Sequence, residues 1–570
     1  MNILGFNRVN KIYSKVSSCD GPEFSRAILD HLRISVDCLE TELESIPKEG
    51  PLIITSNHPF GGIEGLILFY KISQVRPDIK LLSNFILDKI PNLRDYMFSV
   101  NPFTDNKSIK SSSIAGLKGA FKHVTEGGCL LLFPAGEVST YYGDDFTHDK
   151  HWMPSMCKFI KKSGAPVVPI YVDGQNSKFF HIIGKIHPIL RSIRLPREVL
   201  NKKKHTITFR IGLNIPAFEI ANFKDNDQLS DYLRARTYSL EANIERAKPI
   251  CSGLHIEPIQ NTIPPRLLQK ELNSLPKEAL LFTSMNYKGY LADYDQIPKM
   301  IHQLGVKREE TFRAVGEGTN LSIDLDKYDA YYKHLILWDY EKKALVGAYR
   351  FGLGKEIIPR LGIEGFYNST LFRFNPNHQE YLVNSIELGR SFITLDYQKD
   401  NYALLTLLKG LMYSVIRFKD YKYLFGPVSI SNDFPLFYKS LMVKYLKDHY
   451  SDHSPFSDIG CRSPFIASTL RVNPEHLFPE RMDSLEKYDK LIQRISNKKY
   501  RFPPLIKKYV KFGAKFITFN VDKLFNNSLD GLIFVDIDKI PKCEIDALTR
   551  NISKDERISQ RFKHGQDTNN

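Results

Sequence analysis

Between residues 50 and 175 short apolar runs alternate with amphipathic ones, and no other feature of the chain restricts its fold as much. LIITS at 52–56, KLLSNFIL at 80–87, CLLLFP at 129–134 and PVVPIYV at 166–172 have the length and apolar continuity of strands buried on both faces. IEGLILFYKIS at 63–73, SIAGLKGAFKHVTEG at 113–127 and WMPSMCKFIKKSG at 152–164 place apolar residues at helical spacing. Strand and helix in turn predict an α/β domain around a mainly parallel sheet.

The texture changes after CSGLHIEPIQNTIPPRL, residues 251–267, where Pro258, Pro264 and Pro265 interrupt any periodicity. We therefore expect a first domain over 1–255, a linker over 256–278, and a second domain over 279–570 that includes a C-terminal extension. In the second domain HLILWDY and ALVGAYRFGL predict two strands of a meander joined by the charged turn EKK. YLVNSIELGRSFI predicts another strand, YALLTLLKGLMYSVIRF a long helix, and YLFGPVSI a further strand. Strands, then a helix, then a strand make an α+β sheet domain.

A formal charge of +15 calls for an acidic partner. Anionic lipid and an acidic carrier protein fit. Nucleic acid is not expected, because neither a C2H2 spacing nor an RRM-like aromatic signature is present. Three readings fit the segment KKYRFPPLIKKYVKFGAKF, residues 498–516: a helix lying on an anionic bilayer, a surface holding a carrier protein, or a packed helix with snorkelling lysines. No run of about 18 apolar residues predicts a membrane span, and the N-terminus lacks the pattern of a signal peptide. Seven cysteines without a C-x-x-C pair argue against a zinc site or a disulfide framework. The expected location is a reducing cytoplasm.

Chemistry enters at SNHPFGGIEGL, residues 56–66. His58 follows a predicted strand and precedes a predicted helix, so its ring is reachable. A base of this kind needs one imidazole nitrogen facing the reacting hydroxyl and the other held by an acceptor. Glu64, just inside the helix, is the candidate acceptor, and Gly61 and Gly62 allow close approach. Downstream, LLLFPAGEVS at 130–139 is again a strand running into a glycine-containing loop, followed by VVPIYVDG at 167–174.

The succession SNHPFGGIEG, FPAGEVS, VPIYV resembles the glycerolipid acyltransferases over about residues 40–220. Their hallmark is a histidine and an aspartate with four residues between them, then an F-P-E-G-T-R-S block. Here five residues separate His58 from Glu64, the acid is Glu, and the block Phe133-Pro134-Ala135-Gly136-Glu137 lacks the arginine that would meet a glycerol phosphate. H-P-F-G-G-x-D-G and F-P-A-G-E are forms familiar in the branch that acylates hydroxyls on amino-acid lipids. The resemblance implies His58 and Glu64 as catalytic residues and Phe133, Pro134, Gly136 and Glu137 as substrate-binding ones.

In the second half Arg308, Phe312 and Arg313 stand in an R-x-x-x-F-R pattern, Asp326 and Asp329 in D-x-x-D, Arg350 ends VGAYR, and Glu387 and Arg390 stand in E-x-x-R. This order resembles the N-acyltransferases of the GNAT type that use acyl carrier protein, namely ornithine lipid synthases and their hemolysin-like relatives, over about residues 280–440. Acylating an amine requires its neutral form, so a carboxylate must hold the ammonium and take its proton. The resemblance implies Glu387 for catalysis and Arg308, Phe312, Asp326, Asp329, Arg350 and Arg390 for substrate binding. The bland alternative is a structural ion-pair network. YQKDNYALLTLLKG replaces the acetyl-CoA loop of ordinary GNAT enzymes, which implies a carrier-protein thioester as donor.

Together the resemblances imply a bifunctional aminolipid synthase. Its first step N-acylates an amino acid, ornithine foremost, with a 3-hydroxyacyl chain from acyl carrier protein; its second O-acylates the new hydroxyl. No cofactor or metal is implied. The partners are acyl carrier protein, the amino acid, the singly acylated lipid and the anionic cytoplasmic face of a bacterial inner membrane. The alternatives are a glycine-lipid or other amino-acid lipid synthase, a lysophosphatidate acyltransferase with a non-catalytic second domain, and a hemolysin-like membrane-binding protein.

Overall fold

The computed structural model describes residues 5–84, 90–100, 107–142, 146–186, 188–244, 256–451, 456, 458–468, 473–478, 482–549, 561 and 562. The chain forms two compact units: Met1–Arg246 with Thr469–Arg501, and Ala247–Ser468 with Phe502–Asn570. The division differs from the expected one in two ways. Residues 256–278 are not a free linker: Glu257 N donates to Asn320 O, Gln260 N donates to Ser322 O, and Pro265–Asn273 is a helix. Residues 469–501 belong to the first unit, where the helix Leu485–Ile495 leads to Asn497, whose Nδ2 donates to Ile211 O at 2.8 Å.

Among the described residues the first unit holds seven strands: β1 (Ser35–Asp37), β2 (Leu52–Ser56), β3 (Lys80–Asn84), β4 (Met97–Val100), β5 (Cys129–Leu132), β6 (Val167–Val172) and β7 (Thr206–Ile211). They lie in the order β1-β7-β6-β2-β5-β3-β4, parallel throughout except between β6 and β7. β2 is buried along its whole length because helices cover both faces of the sheet. Leu52 and Ile54 enter one apolar core and Ile53 the other, as the two-residue period of a strand requires. Of the predicted run KLLSNFIL, residues 85–87 lie outside the described residues.

Among the described residues the second unit has one eight-stranded sheet and a two-stranded one. Its strands are β8 (Leu280–Ser284), β9 (Tyr287–Ala292), β10 (Lys333–Asp339), β11 (Ala344–Leu353), β12 (Phe372–Arg373), β13 (Ser385–Ile393), β14 (Tyr423–Ile430), β15 (Gly460–Cys461), β16 (Lys515–Asp522) and β17 (Ser528–Asp536). The large sheet runs β16-β17-β14-β13-β11-β10-β9-β8, and β12 pairs with β15. All neighbours in the large sheet are antiparallel except β13 and β14. That parallel ladder covers only Ser385–Glu387 against Tyr423–Phe425; beyond it β13 pairs with β11 alone and β14 with β17 alone. Glu387 therefore sits where the two central strands part. The predicted strand YLVNSIELGRSFI is helix over Gln379–Val383 and strand only from Ser385.

The basic segment 498–516 resolves in favour of packing. In its helix Pro504–Lys511, Ile506 and Tyr509 are buried, as are Phe502 and Phe512 beside it, and Tyr509 OH lies 3.2 Å from Tyr349 OH. Its apolar face is spent inside the second unit and is not available to a bilayer.

Candidate active site

β5, β2 and β6 are adjacent and parallel, so the three loops that leave their C-terminal ends meet at one edge of the sheet. These are the loops carrying SNHPFGG, FPAGEVS and VDG. Asn57 clasps the edge, accepting from Val172 N at 2.7 Å and donating to Val172 O at 2.9 Å. Asn176 Nδ2 donates to Phe60 O at 3.0 Å. Gly61 has φ 86°, and a Cβ there would come within 2.6 Å of both Leu195 and Val138. Only glycine fits that turn.

His58 and Glu64 meet. Nδ1 lies 3.0 Å from Glu64 Oε1, with the His58 side chain 19% exposed and Glu64 fully buried. At this distance charge and side-chain contact between the ring and the carboxylate both favour the imidazolium. Glu64 is fixed by the turn itself: Phe60 N and Gly61 N donate to Oε1 and Gly62 N to Oε2, each at 2.8 Å. These N–H groups belong to the turn that leads into the helix Ile63–Ser73, whose start favours a carboxylate. Burial alone pushes the Glu64 carboxyl up; His58 and the Gly62 and Gly61 N–H groups outweigh it and bring it to about 2. Burial likewise pushes His58 down, and the charges of Glu64 and Asp149 overcome it, leaving the imidazole above its ordinary value.

Asp149, which sequence reasoning missed, anchors the histidine loop. Buried, it accepts from His58 N at 3.1 Å and Ser139 Oγ at 2.5 Å through Oδ1, and from Trp152 Nε1 at 2.9 Å through Oδ2. Phe133 packs against the His58 ring, with centroids 4.4 Å apart and planes tilted by 35°. Pro134 O accepts from Met153 N, and Gly136 has φ 67° with Met153 over it. Glu137 pairs with Arg191 at 2.8 Å and Lys150 at 3.5 Å. The motif block thus has cations near it, supplied by distant chain segments.

In the second unit the structure brings the arginine and aspartate candidates together. Arg308, on the helix Pro298–Ala314, donates to Asp329 Oδ1 at 2.7 Å. Arg350 on β11 pairs with Asp326 at 2.6 Å and Asp329 at 3.1 Å. Arg390 on β13 pairs with Asp324 at 3.0 Å and Asp326 at 3.7 Å. The β11–β13 register shifts beside Arg390, whose φ is 47°; this bulge aims the guanidinium at Asp324. Burial pushes the Asp329 carboxyl up, but Arg308 and Arg350 hold it well below the usual range. Three arginines and three aspartates balance in a buried ladder, and among them only Asp326, with its side chain 24% exposed, opens appreciably to solvent. Phe312 packs against Phe392 and Phe525.

Glu387 accepts from Tyr332 OH, from Tyr367 N at 3.1 Å, from Asn368 N at 2.7 Å and from Asn368 Nδ2 at 2.5 Å. Burial pushes its carboxyl up despite these donors. Asp324, Tyr332, Tyr367 and Asn368 carried no motif signal. Among the described residues no group of three His, Cys, Asp or Glu is placed to hold a metal ion.

Residues 7–247 match a family described as Acyltransferase, and residues 308–408 one described as Acetyltransferase (GNAT) domain. The fold and site therefore define a two-part acyltransferase: an α/β acyltransferase unit and a GNAT-like α+β unit. A glycine N(alpha)-acyltransferase of Bacteroides thetaiotaomicron is 31% identical over 45% of this chain and 78% of its own length. A lyso-glycine lipid O-acyltransferase of Phocaeicola vulgatus is 24% identical over 39% of this chain and 78% of its own. The chain belongs to the acyltransferase family that includes the former.

Proposed function

We propose that the chain makes a two-chain amino-acid lipid in two steps, N-acylation in the second unit and O-acylation in the first. The observation that supports this reading most is the histidine site: His58 is partly open, its Nδ1 faces a locked carboxylate, and the other ring nitrogen is left for a hydroxyl. In the O-acylation, the hydroxyl of a singly acylated lipid attacks a thioester carbonyl while His58 takes its proton. The tetrahedral intermediate then expels the thiolate, which recovers the proton from His58. Glu64 positions the ring and stabilises the imidazolium between these events.

For the N-acylation, the ladder of Arg308, Arg350 and Arg390 has its charge spent internally, so we assign it to holding the loop around Asp326 against β11 and β13. Asp326 and Glu387 are then the acids nearest an incoming ammonium. The donor is a thioester of acyl carrier protein. Glycine is the first amino acid to test, because glycine is named in relatives of both reaction types; ornithine is the second. Purified protein given 3-hydroxyacyl carrier protein and each amino acid, with lipid products read by mass spectrometry, tests the reading. Product from neither glycine nor ornithine sends the test on to the other amino acids, and product from none of them removes the N-acylation step.

A further inference from the structure

Two helices between β6 and β7, Lys178–Ile186 and Pro188–Asn201, face two ways. Inward, Phe180, His181 and Glu198 are buried, with Glu198 accepting from Ser177 Oγ at 2.7 Å and pairing with Arg194 at 3.4 Å. Outward, Phe179 is 52% exposed, Ile182 57%, Leu190 43% and Ile193 38%. The helix Phe6–Val16 begins beside the second of them: a Cβ on Gly5 would reach Leu200 and Arg197, and Phe6 adds another exposed ring.

The surroundings of these apolar side chains are basic. Residues 178–204 contain eight Lys and Arg against one acid, Glu198, which is buried and paired. Residues 6–16 add Arg8, Lys11 and Lys15 and no acid. The Arg194 guanidinium lies over the Phe179 ring at 4.3 Å, so cation and apolar group share one patch. Large side chains exposed together and rimmed mainly by cations match the interface of an anionic bilayer, where rings and aliphatic chains enter the acyl boundary and cations meet the headgroups. The same helices also touch the site: Leu195 lies over Gly61, and Arg191 donates to Glu137 at 2.8 Å.

We propose that this helical pair, with the start of the N-terminal helix, seats the first unit on an anionic membrane surface and brings the His58 loop to the lipid. The attachment stands on exposure and charge alone; only the delivery of a lipid acceptor to His58 rests on the function proposed above.

The test uses the full chain and vesicles of phosphatidylcholine with or without phosphatidylglycerol. The wild type should float with the anionic vesicles and much less with the zwitterionic ones. Phe179→Asp with Ile182→Asp should lower binding about a hundredfold, since fully burying each such side chain is worth about a factor of ten or more. Lys507→Glu with Lys508→Glu, in the packed helix of the second unit, should lower it far less. Unchanged flotation of the Phe179/Ile182 variant overturns the proposal, as does equal binding to both vesicle types. The two native tryptophans, Trp152 and Trp338, are fully buried, so Phe179→Trp supplies a surface reporter. Its emission should be quenched by brominated lipid; no quenching overturns insertion. Acylation of a water-soluble short-chain acceptor, assayed in parallel, separates the two ideas. If that activity is missing while flotation behaves as stated, the membrane surface stands and the reading of the His58 site falls.

Discussion

Glu64 places Oε1 3.0 Å from Nδ1 of His58 while its two oxygens accept three consecutive backbone N–H groups, Phe60 to Gly62. The carboxylate is thus part of the turn as well as a partner of the ring. One more intervening residue and one more methylene than the family hallmark leave the acid on the histidine, because the helix start pulls it back. A base must be neutral, so O-acylation should rise with pH through the elevated His58 value. Glu64→Gln removes the charge that raises it, and the acidic limb of the pH–rate profile should move to lower pH, with a lower maximal rate. A limb that stays in place would show that His58 does not sense Glu64.

The same carboxylate makes the first unit acid-sensitive. Its folded value of about 2 lies below the ordinary 4.5, so its contribution is present above pH 4.5 and is lost as pH falls toward 2. The size is on the order of 3 kcal/mol. His58→Ala should remove part of it. Trp152 lies in the first unit and Trp338 in the second, so urea unfolding of a Trp338→Phe background, followed by emission at several pH values, reads the first unit alone. Equal acid sensitivity with and without His58 would contradict the coupling.

Asp149→Asn should harm the His58 site from ninety-one residues away. All of its side-chain bonds are acceptances, so an amide nitrogen must face the His58 N–H, Ser139 or Trp152 and leave a donor unmet. A buried donor left unpaired costs about 1–3 kcal/mol. O-acylation should fall while N-acylation by the second unit is unchanged; both are read from the lipid products of one incubation.

Arg350→Met should destabilise the second unit by about 3–5 kcal/mol, because it leaves Asp326 and Asp329 facing a missing cation. Unfolding followed through Trp338 in a Trp152→Phe background measures it. A loss of activity without loss of stability would instead make Arg350 a substrate ligand.

Local signals were legible. LIITS, CLLLFP and VVPIYV became adjacent parallel strands because continuous apolar runs are buried on both faces, and the loops that follow them hold His58, Phe133 and Glu137 at one edge. The three arginines of the R-x-x-x-F, VGAYR and E-x-x-R stretches also meet the D-x-x-D aspartates, while Glu387 is held apart from them by Tyr332, Tyr367 and Asn368. What the sequence hides is long-range. Asp149 sits in a loop without periodicity and matters only because the sheet returns it to His58. Asp324, Tyr332 and Asn368 complete the second site from loops and strand ends of no distinctive composition. The stretch 469–501 returns to the first unit through contacts such as Asn497 with Ile211, which no local pattern encodes. Amphipathicity left three readings open at 498–516 for a related reason: the pattern is identical whether the apolar face meets lipid or the protein's own core.

The last prediction separates the two steps. Glu387 stands where β13 and β14 part, and its oxygens take four donors from Tyr332, Tyr367 and Asn368. In the two-step reading proposed above Glu387 takes the amine's proton; Glu387→Gln removes that capacity and turns an amide nitrogen toward donors. Product should therefore vanish when free amino acid and 3-hydroxyacyl carrier protein are supplied. Tyr332→Phe removes one donor and leaves the charge, so it should slow the step without abolishing it. Supplying synthetic singly acylated lipid to the Glu387→Gln protein should restore the two-chain lipid, because His58, Glu64 and Asp149 all lie in the other unit. Normal formation of the singly acylated lipid by Glu387→Gln would make Glu387 structural. Failure of the rescue in a protein that still binds lipid and melts normally would show that the two units act as one catalyst.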